Sequence, residues 1–289
     1  MRFTYLFVIL GALLPAFAQA AEPVDWGLSF QEPASPVKER MIDFHDNLLL
    51  PIITAISIFV LALLIYVVIR FNRKANPNPS RTTHNLPLEI VWTAVPVVIL
   101  IIIAVPSFKL LYYAERVAEP EMSLKVVGYQ WYWGFSYPDH EIEEFSSYMI
   151  DDEDIDVSKG QKRLLSTDNV VVLPIDTDIQ IDVTAGDVLH SFAMPAFGIK
   201  TDAVPGRLNS TWVRITKPGT YYGQCSELCG AKHAFMPVEV RAVSKEKFEE
   251  WAKIAKDDLE ASYAFLNKQS KLTYDESHNL IKISQKAGE

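Results

Sequence analysis

The hydrophobic and polar positions of this 289-residue chain divide it into an apolar first part and an alternating second part. Three apolar runs stand in the first part: Phe3 to Phe17, Leu48 to Ile69 and Ile90 to Phe108. The second and third runs contain no charged residue and approach the ~20 residues that a helix needs to cross a bilayer. They predict a transmembrane helical hairpin over residues 48–111.

The first apolar run has the features of an export signal over residues 1–20. Arg2 precedes the apolar stretch, and the small residues from Ala18 to Ala20 form a cleavage motif. The run is short and contains Pro15, which favours a cleaved signal over a membrane helix that stays. Residues 21–47 are then an exported N-terminal segment.

The loop between the second and third runs sets the orientation in the membrane. It carries no acid and four basic residues, which are Arg70, Arg73, Lys74 and Arg81. Short loops rich in Arg and Lys stay in the cytoplasm. Both ends of the mature chain therefore face outward, and we expect a Gram-negative inner-membrane protein with its large domain in the periplasm.

The alternating second part predicts short strands. Stretches such as "DIQIDVTA" and "STWVRIT" alternate apolar and polar residues, and Gly and Pro separate them. This pattern is typical of an all-β sandwich or Greek-key barrel, here over residues 112–243. Residues 244–289 follow, with helical spacing of Phe248, Trp251 and Ile254 after a start at Ser244, and then a polar tail.

The charge is concentrated in the exported region. Residues 112–289 contain 19 of the 27 basic and 29 of the 36 acidic residues, a net charge of −10. This acidity argues against a nucleic-acid partner. It suits a basic protein partner steered by the electric field, and it equally suits a role in solubility alone.

The stretch "QCSELCGAKHAFMP" contains both cysteines of the chain, Cys225 and Cys229. An exported domain meets an oxidising compartment, so a disulfide is the first interpretation. The closed loop would be very short and would stabilise the fold little. A thiol redox couple is the second interpretation, but the usual Cys-x-x-Cys spacing and its strand and helix alternation are absent. Neither interpretation explains His233 and Met236.

A metal site uses the whole set of side chains. Thiolates, thioether and imidazole together favour copper, whereas zinc would accept the cysteines and histidines but gain little from Met236. A mononuclear blue-copper site needs one Cys, two His and a weak axial Met. His190, at the end of a strand-like segment, supplies a second imidazole. The extra thiolate lets two sulfurs bridge two coppers, with a backbone carbonyl as the remaining axial ligand, and such a closed centre carries electrons.

A family resemblance rests on four stretches: "YYGQCSELCGAKHAFMP", "DVLHSFAMPAFGIKTDAVPGRLN", "GYQWYWGFSY" and "LEIVWTAVPVVILIIIAVPSFKLLYY". They resemble subunit II of the haem–copper cytochrome c oxidases, over about His45 to Val243. The resemblance implies a cupredoxin-like Greek-key domain on a two-helix membrane anchor, with the dinuclear copper centre called CuA. The implied copper ligands are His190, Cys225, the Glu227 carbonyl, Cys229, His233 and Met236. No haem is expected in this chain, because Cys-x-x-Cys-His is absent.

The resemblance also implies roles around the centre. Trp131 matches the surface tryptophan that receives electrons from cytochrome c, whereas Trp133 is expected to be a core aromatic of a strand. Glu89 matches the mouth of a proton path. The Glu227 carboxylate is implied to reach a magnesium ion shared with the catalytic subunit. Three acids match positions that dock cytochrome c: Asp187, Asp168 and Asp139. Ser136 departs from the pattern, since relatives often have an acid there.

The implied function is electron transfer from cytochrome c through CuA to haem in subunit I of an aa3-type oxidase. Oxygen reduction and proton pumping belong to that partner. The expected partners are cytochrome c, the other oxidase subunits and membrane lipid. A membrane-tethered copper chaperone is the alternative. A quinol-oxidase subunit that has lost its copper is disfavoured by the complete ligand set.

Overall fold

The computed structural model describes Ala21, residues 23–115 and residues 119–267. The predicted signal peptide over residues 1–20 and the tail from residue 268 lie outside these described residues. The chain forms two compact units. One is the helical unit, Pro36–Arg116, and the other contains the strands. Each unit is described by itself.

The helical unit contains two long apolar helices. Helices α1 (Pro36–Phe44) and α2 (Leu50–Arg70) run on through one π-helical turn as a single 35-residue helix, and α3 (Leu86–Glu115) has 30 residues. No residue in the most apolar stretch of either helix is buried. Apolar side chains exposed on all sides of a helix need an apolar environment such as lipid. The first helix begins well before the apolar run that predicted it.

The N-terminus of α3 is capped by its own side chains. Asn85 accepts a hydrogen bond on Oδ1 from the Leu88 N–H at 3.2 Å. Glu89 accepts one on Oε1 from the Asn85 N–H at 3.0 Å. This reciprocal arrangement satisfies two backbone donors that the first turn leaves free, and it places a carboxylate at the positive end of the helix dipole.

The strand unit consists of two five-stranded sheets, in the orders β3-β2-β1-β5-β8 and β4-β10-β9-β6-β7. The first sheet contains β1 Met122–Tyr129, β2 Tyr132–Tyr137, β3 Ile142–Ser147, β5 Ile179–Ala185 and β8 Asn209–Val213. The second contains β4 Val171–Pro174, β6 His190–Met194, β7 Ile199–Ala203, β9 Gly219–Cys225 and β10 Pro237–Val243. The predicted all-β domain is therefore a two-sheet sandwich.

The core lies between these sheets and follows the alternation of the sequence. In β5, Ile179, Ile181 and Val183 are buried, while the polar residues between them are half-buried. Trp133 is fully buried, as its prediction as a core aromatic requires. Two strand pairs, β1 with β5 and β4 with β10, are parallel, and the remaining neighbours are antiparallel.

Two short helices follow the sheets. Helix α4 (Lys245–Ala255) starts as predicted, because Ser244 Oγ accepts the Lys247 N–H at 3.3 Å. The single helical pattern of the sequence is broken, however, and a second helix spans 259–267. Asp258 accepts the Ala261 N–H at 2.9 Å and caps this second helix. The polar cap residue inside the apolar pattern explains the break.

Candidate metal centre

The second sheet brings two distant segments of the chain together. Strand β6 begins at His190 and pairs with β9, which ends at Cys225. Phe192 lies opposite Cys225 in this register, so His190 lies beside the loop that follows β9. That loop, residues 226–236, returns into β10, which pairs antiparallel with β9. Strand pairing therefore places an isolated histidine next to the cysteine loop.

The side chains form a continuous set of contacts. His190 Nδ1 lies 3.8 Å from Cys225 Sγ, and the two sulfurs of Cys225 and Cys229 are 3.8 Å apart. Cys229 Sγ lies 3.6 Å from His233 Nδ1 and 3.5 Å from Met236 Sδ. The two sulfurs are therefore central, with one imidazole on either side.

Backbone groups complete the arrangement. The Glu227 carbonyl oxygen lies 3.3 Å from Cys225 Sγ, while the residue itself is exposed. The Met236 carbonyl accepts hydrogen bonds from the Cys225 N–H at 3.3 Å and from Trp133 Nε1 at 3.2 Å. These bonds fix both ends of the loop, at Cys225 and Met236, where the bonded residues are buried. All six predicted copper ligands are brought together.

Asp187 orients the ring of His190. Its Oδ1 lies 2.9 Å from His190 Nε2, and its carboxylate accepts the Val188 N–H at 2.6 Å and the Gln130 N–H at 2.7 Å. Burial opposes ionisation of Asp187, but these hydrogen bonds outweigh it and lower its pKa. Because this carboxylate keeps a proton on Nε2, a bound metal would take the place of the proton that Nδ1 directs at Cys225. Such carboxylate–histidine pairs are typical of metal ligands.

The two thiols differ in acidity although burial raises the pKa of both. At Cys225, hydrogen bonds from His190 and from the backbone outweigh burial and lower the pKa to about 6. At Cys229, burial and the neighbouring Cys225 thiolate raise the pKa to about 12. The metal-free pair therefore retains one proton near neutral pH. A metal ion that contacts both sulfurs would stabilise both thiolates and release that proton.

The donor set fits copper. Two thiolates that bind one ion tetrahedrally at ~2.3 Å stand about 3.8 Å apart, and the sulfurs here are 3.8 Å apart. Sulfur and imidazole donors suit copper better than ions that prefer oxygen. The donors are also shielded, since His190, Cys225, Cys229 and Met236 are at most 5% exposed.

The alternatives fit less well. A disulfide requires sulfurs ~2.05 Å apart, whereas both cysteines are free here. A copper chaperone must offer its ligands to a partner, and both thiols are buried. In the part of the chain that the structure describes, the loop joins two antiparallel strands of a sandwich, which is not the strand and helix alternation of a thioredoxin-type fold.

Trp131 lies at the tip of the β1–β2 hairpin, against the cysteine loop. A Cβ added at Gly230 would stand 3.1 Å from the Trp131 ring atom Cζ2. Gly230 has a φ of +122°, which favours glycine for conformational reasons as well. A side chain at this position would press against the ring, so Trp131 lies near the residue that follows Cys229. Its role in electron transfer stays a prediction.

The predicted docking acids all have structural hydrogen bonds. Asp139 Oδ2 accepts the Ser123 N–H at 2.6 Å. Asp168 Oδ1 accepts the Tyr148 N–H at 2.7 Å and the Asn169 N–H at 2.6 Å. These bonds and those of Asp187 show a local structural role for each acid, and docking stays a prediction. Glu89 belongs to the helical unit, where it caps α3, and its proton-path role likewise stays a prediction.

Sequence reasoning missed two residues at the centre. Gln130 Nε2 donates to the Cys229 carbonyl at 2.7 Å across 99 residues of sequence. Trp133 was predicted only as core, yet its indole N–H binds the Met236 carbonyl. Their neighbour Trp131 was the one signal that pointed to this hairpin.

Comparisons with known proteins agree along most of the chain. The family model for the periplasmic domain of cytochrome c oxidase subunit II matches residues 122–243, and the model for its transmembrane domain matches residues 23–110. A probable cytochrome c oxidase subunit 2 of Rickettsia prowazekii is 52% identical over 268 residues, which are 93% of this chain and 83% of the relative. Cytochrome c oxidase subunit 2 of Cereibacter sphaeroides is 44% identical over 84% of this chain and 88% of its own.

Among solved structures, the periplasmic domain of cytochrome oxidase subunit II (CoxB) of Bradyrhizobium japonicum is 46% identical. It covers 50% of this chain and 99% of its own, with a TM-score of 0.46. The family models and the relatives show that this chain belongs to the cytochrome c oxidase subunit II family. It is therefore a membrane-anchored subunit of a haem–copper oxidase.

Proposed function

We propose that this member of the cytochrome c oxidase subunit II family takes electrons from cytochrome c at a dinuclear copper centre. It passes them to haem in the catalytic subunit, where oxygen reduction is coupled to proton pumping. The carrying observation is the convergence of two sulfurs, two imidazoles, a thioether and a carbonyl from β6 and one loop. The proposed ligands are His190, Cys225, the Glu227 carbonyl, Cys229, His233 and Met236.

When bound, a copper pair supplies reversible one-electron chemistry without an open position for substrate. Cys225 and Cys229 would be the shared thiolate ligands of the pair, and His190 and His233 would each supply an imidazole. Buried hydrogen bonds to Asp187 and to the Met236 carbonyl keep these donors in place. A ligand set that is fixed before binding changes little between oxidation states, which favours fast electron transfer.

Electrons are proposed to arrive through Trp131. Leu189 and Leu228, which flank ligands along the chain, are 50% and 77% exposed and offer apolar contact to a partner. The surrounding domain is acidic, and cytochrome c is basic, so long-range attraction would raise the rate of encounter. Docking is assigned to Asp187, Asp168 and Asp139, with the first also orienting His190.

The remaining assignments place the chain in the assembled oxidase. The two helices anchor it in the inner membrane with the copper domain on the periplasmic side, and the exposed Glu227 carboxylate is available for a shared magnesium. Glu89 is assigned to the proton-path mouth. The proposed division of the chain is 1–20, 21–47, 48–111, 112–243 and 244–289.

The test uses the full chain in detergent, reduced and then loaded with copper. We expect two coppers per chain and an electron-spin spectrum in which one electron is shared by two equivalent nuclei. One copper per chain, or a Cys225–Cys229 disulfide that resists loading, would contradict the proposal. Rapid transfer of the copper to a chelator would favour the chaperone alternative instead.

A second measurement tests whether electrons enter the centre through Trp131. In the assembled oxidase, Trp131→Phe should slow reduction of the centre by cytochrome c while copper content stays constant. Tyr112→Phe, a change in the separate helical unit, serves as the control. Unchanged reduction in the Trp131 variant would remove that residue from the proposed route.

A further inference from the structure

We propose that Gln130 is a positioning residue that clamps the Trp131 ring onto the copper-ligand loop. The inference rests on the proposed function, because it assigns a residue that keeps the electron route in register. Gln130 precedes Trp131 in the two-residue turn between β1 and β2, where Tyr129 pairs with Tyr132. It is not one of the ligands.

Gln130 bonds to both segments that carry ligands. Its backbone N–H donates to Asp187 Oδ2 at 2.7 Å, and Asp187 holds His190. Its side-chain Nε2 donates to the Cys229 carbonyl at 2.7 Å. The partners are 57 and 99 residues away in sequence. One residue of the first sheet therefore ties together the two halves of the centre, both of which the second sheet supplies.

The approach of the hairpin tip to the loop leaves no room for a side chain at Gly230. A Cβ at Gly230 would stand 3.1 Å from both Gln130 Nε2 and Trp131 Cζ2. The hairpin tip therefore lies close to the loop at both residues, and it touches the loop directly through the Gln130 bond to the Cys229 carbonyl. Small displacements of reacting groups cost rate, and electron tunnelling falls steeply with the gap between groups, so a shift of the ring away from the loop should slow transfer.

Among the residues that the structure describes, the buried indole N–H of Trp131 lacks a hydrogen-bond acceptor, and this opposes the position that the ring occupies. A buried, unsatisfied donor favours movement of the ring toward water or another acceptor. The two hydrogen bonds of Gln130 oppose that movement, because they fix the backbone from which the ring projects.

The test compares two variants in the complete oxidase. Gln130→Met keeps the length of the side chain and removes its amide. Gln180→Met makes the same change on β5, where Gln180 Nε2 donates to Asp182 at 2.9 Å. For Gln130→Met we expect amide exchange in residues 224–236 to become about fivefold faster, the factor that one ordinary hydrogen bond is worth. Mass spectrometry measures this exchange without reference to activity.

The same samples give the functional part of the expectation. Electron transfer from bound cytochrome c should slow in Gln130→Met, while KM for cytochrome c and copper per chain stay unchanged. Gln180→Met should change none of these values. A raised KM with normal loop exchange would overturn the proposal and make Gln130 a docking residue. Unchanged exchange and transfer would overturn it as well.

A second variant of Gln130 is used in case Gln130→Met does not assemble into the oxidase. Gln130→Asn keeps the amide but is one methylene too short to reach the Cys229 carbonyl, and it should show the same faster exchange. Trp131→Phe, measured alongside, separates this inference from the proposed function. If electron transfer from cytochrome c is slow in Trp131→Phe but normal in both Gln130 variants, the positioning role of Gln130 is wrong and the proposed function stands. If electron transfer is normal in Trp131→Phe, the proposed route through Trp131 is wrong.

Discussion

The two ends of the candidate metal centre are held in different ways. The strand end consists of His190 and Cys225, which belong to paired strands, and His190 is fully buried beside Asp187. The loop end consists of Cys229 and His233, which lie between β9 and β10, and His233 is only half-buried. The same kinds of donor are thus fixed by sheet register at one end, and at the other by hydrogen bonds within the loop and from Gln130.

The different support of the two ends suits them to two different tasks, metal capture and electron transfer. The strand end has an orienting carboxylate and a thiol whose pKa is lowered to about 6, so it is prepared to bind a cation. The loop end retains its proton and faces Trp131 across Gly230. We infer that metal capture depends mainly on the strand end, and that entry of electrons from cytochrome c depends mainly on the loop end. Four predictions test this comparison.

The largest effect should come from the two sulfurs that are proposed to bridge. Cys225→Ser and Cys229→Ser each remove a ligand that the proposed dinuclear centre would share between its two metals, so either variant should lose the dinuclear spectrum. Copper affinity should fall by more than about 100-fold, beyond the range for changes outside the ligand set. Metal analysis and electron-spin spectroscopy measure the result, with circular dichroism as the control for folding. Retention of two coppers and the original spectrum in either variant would contradict bridging.

Asp187→Ala should give the second-largest effect, at the strand end. Loss of the carboxylate frees the His190 ring, and copper affinity should fall by about 10- to 100-fold. Competition with a chelator of known affinity measures this change. Asp168→Ala is the control, because Asp168 is a predicted docking acid whose hydrogen bonds lie at Tyr148 and Asn169. Equal copper affinity in the two variants, with a raised KM for cytochrome c in both, would show that Asp187 only docks.

Met236→Leu should act more weakly, since a thioether is a weak axial ligand. Copper content should stay at the original value. The reduction potential should rise by an amount on the order of tens of mV, where ~59 mV is a tenfold change for one electron. The lost donor had stabilised the oxidised state. Redox titration measures the shift, and loss of both coppers would contradict the axial role.

The smallest effect concerns stability beneath the loop end. Glu239 on β10 is buried, which raises the pKa of its carboxyl although the Thr167 N–H and Arg241 oppose this. The folded chain therefore binds the proton more readily than the unfolded chain does. Its stabilising contribution is complete below the ordinary pKa of 4.5 and is lost as pH rises through the raised value.

Glu239→Gln should consequently raise the melting temperature at pH 7 and leave it nearly unchanged at pH 4. Each kcal/mol corresponds to roughly 2–4 °C for a domain of this size. Glu143→Gln on the exposed face of β3 is the matched control, and thermal unfolding followed by circular dichroism is the measurement. An equal shift at both pH values would indicate that burial does not perturb Glu239.

Much of the fold could be predicted from the sequence, because helices and strands depend on short-range patterns of residues. Uncharged apolar runs identified the helices, and alternation identified strands such as β5. The parallel pairing of β1 with β5 was not readable, because strands that pair across a long connection leave no local signal. Asp258 was overlooked as a helix cap, since the apolar spacing continues on both sides of it.

The sequence by itself determined the chemistry of the centre. The spacing of Cys225, Cys229, His233 and Met236 places four donors on one loop, and a loop of that length cannot separate them widely. Tertiary structure decided the rest. His190 reaches the cluster only through the register of β6 with β9, and Gln130 reaches Cys229 only because the hairpin of the first sheet lies on that loop. Local composition selects the ligand types, whereas long-range packing selects which distant residues orient them.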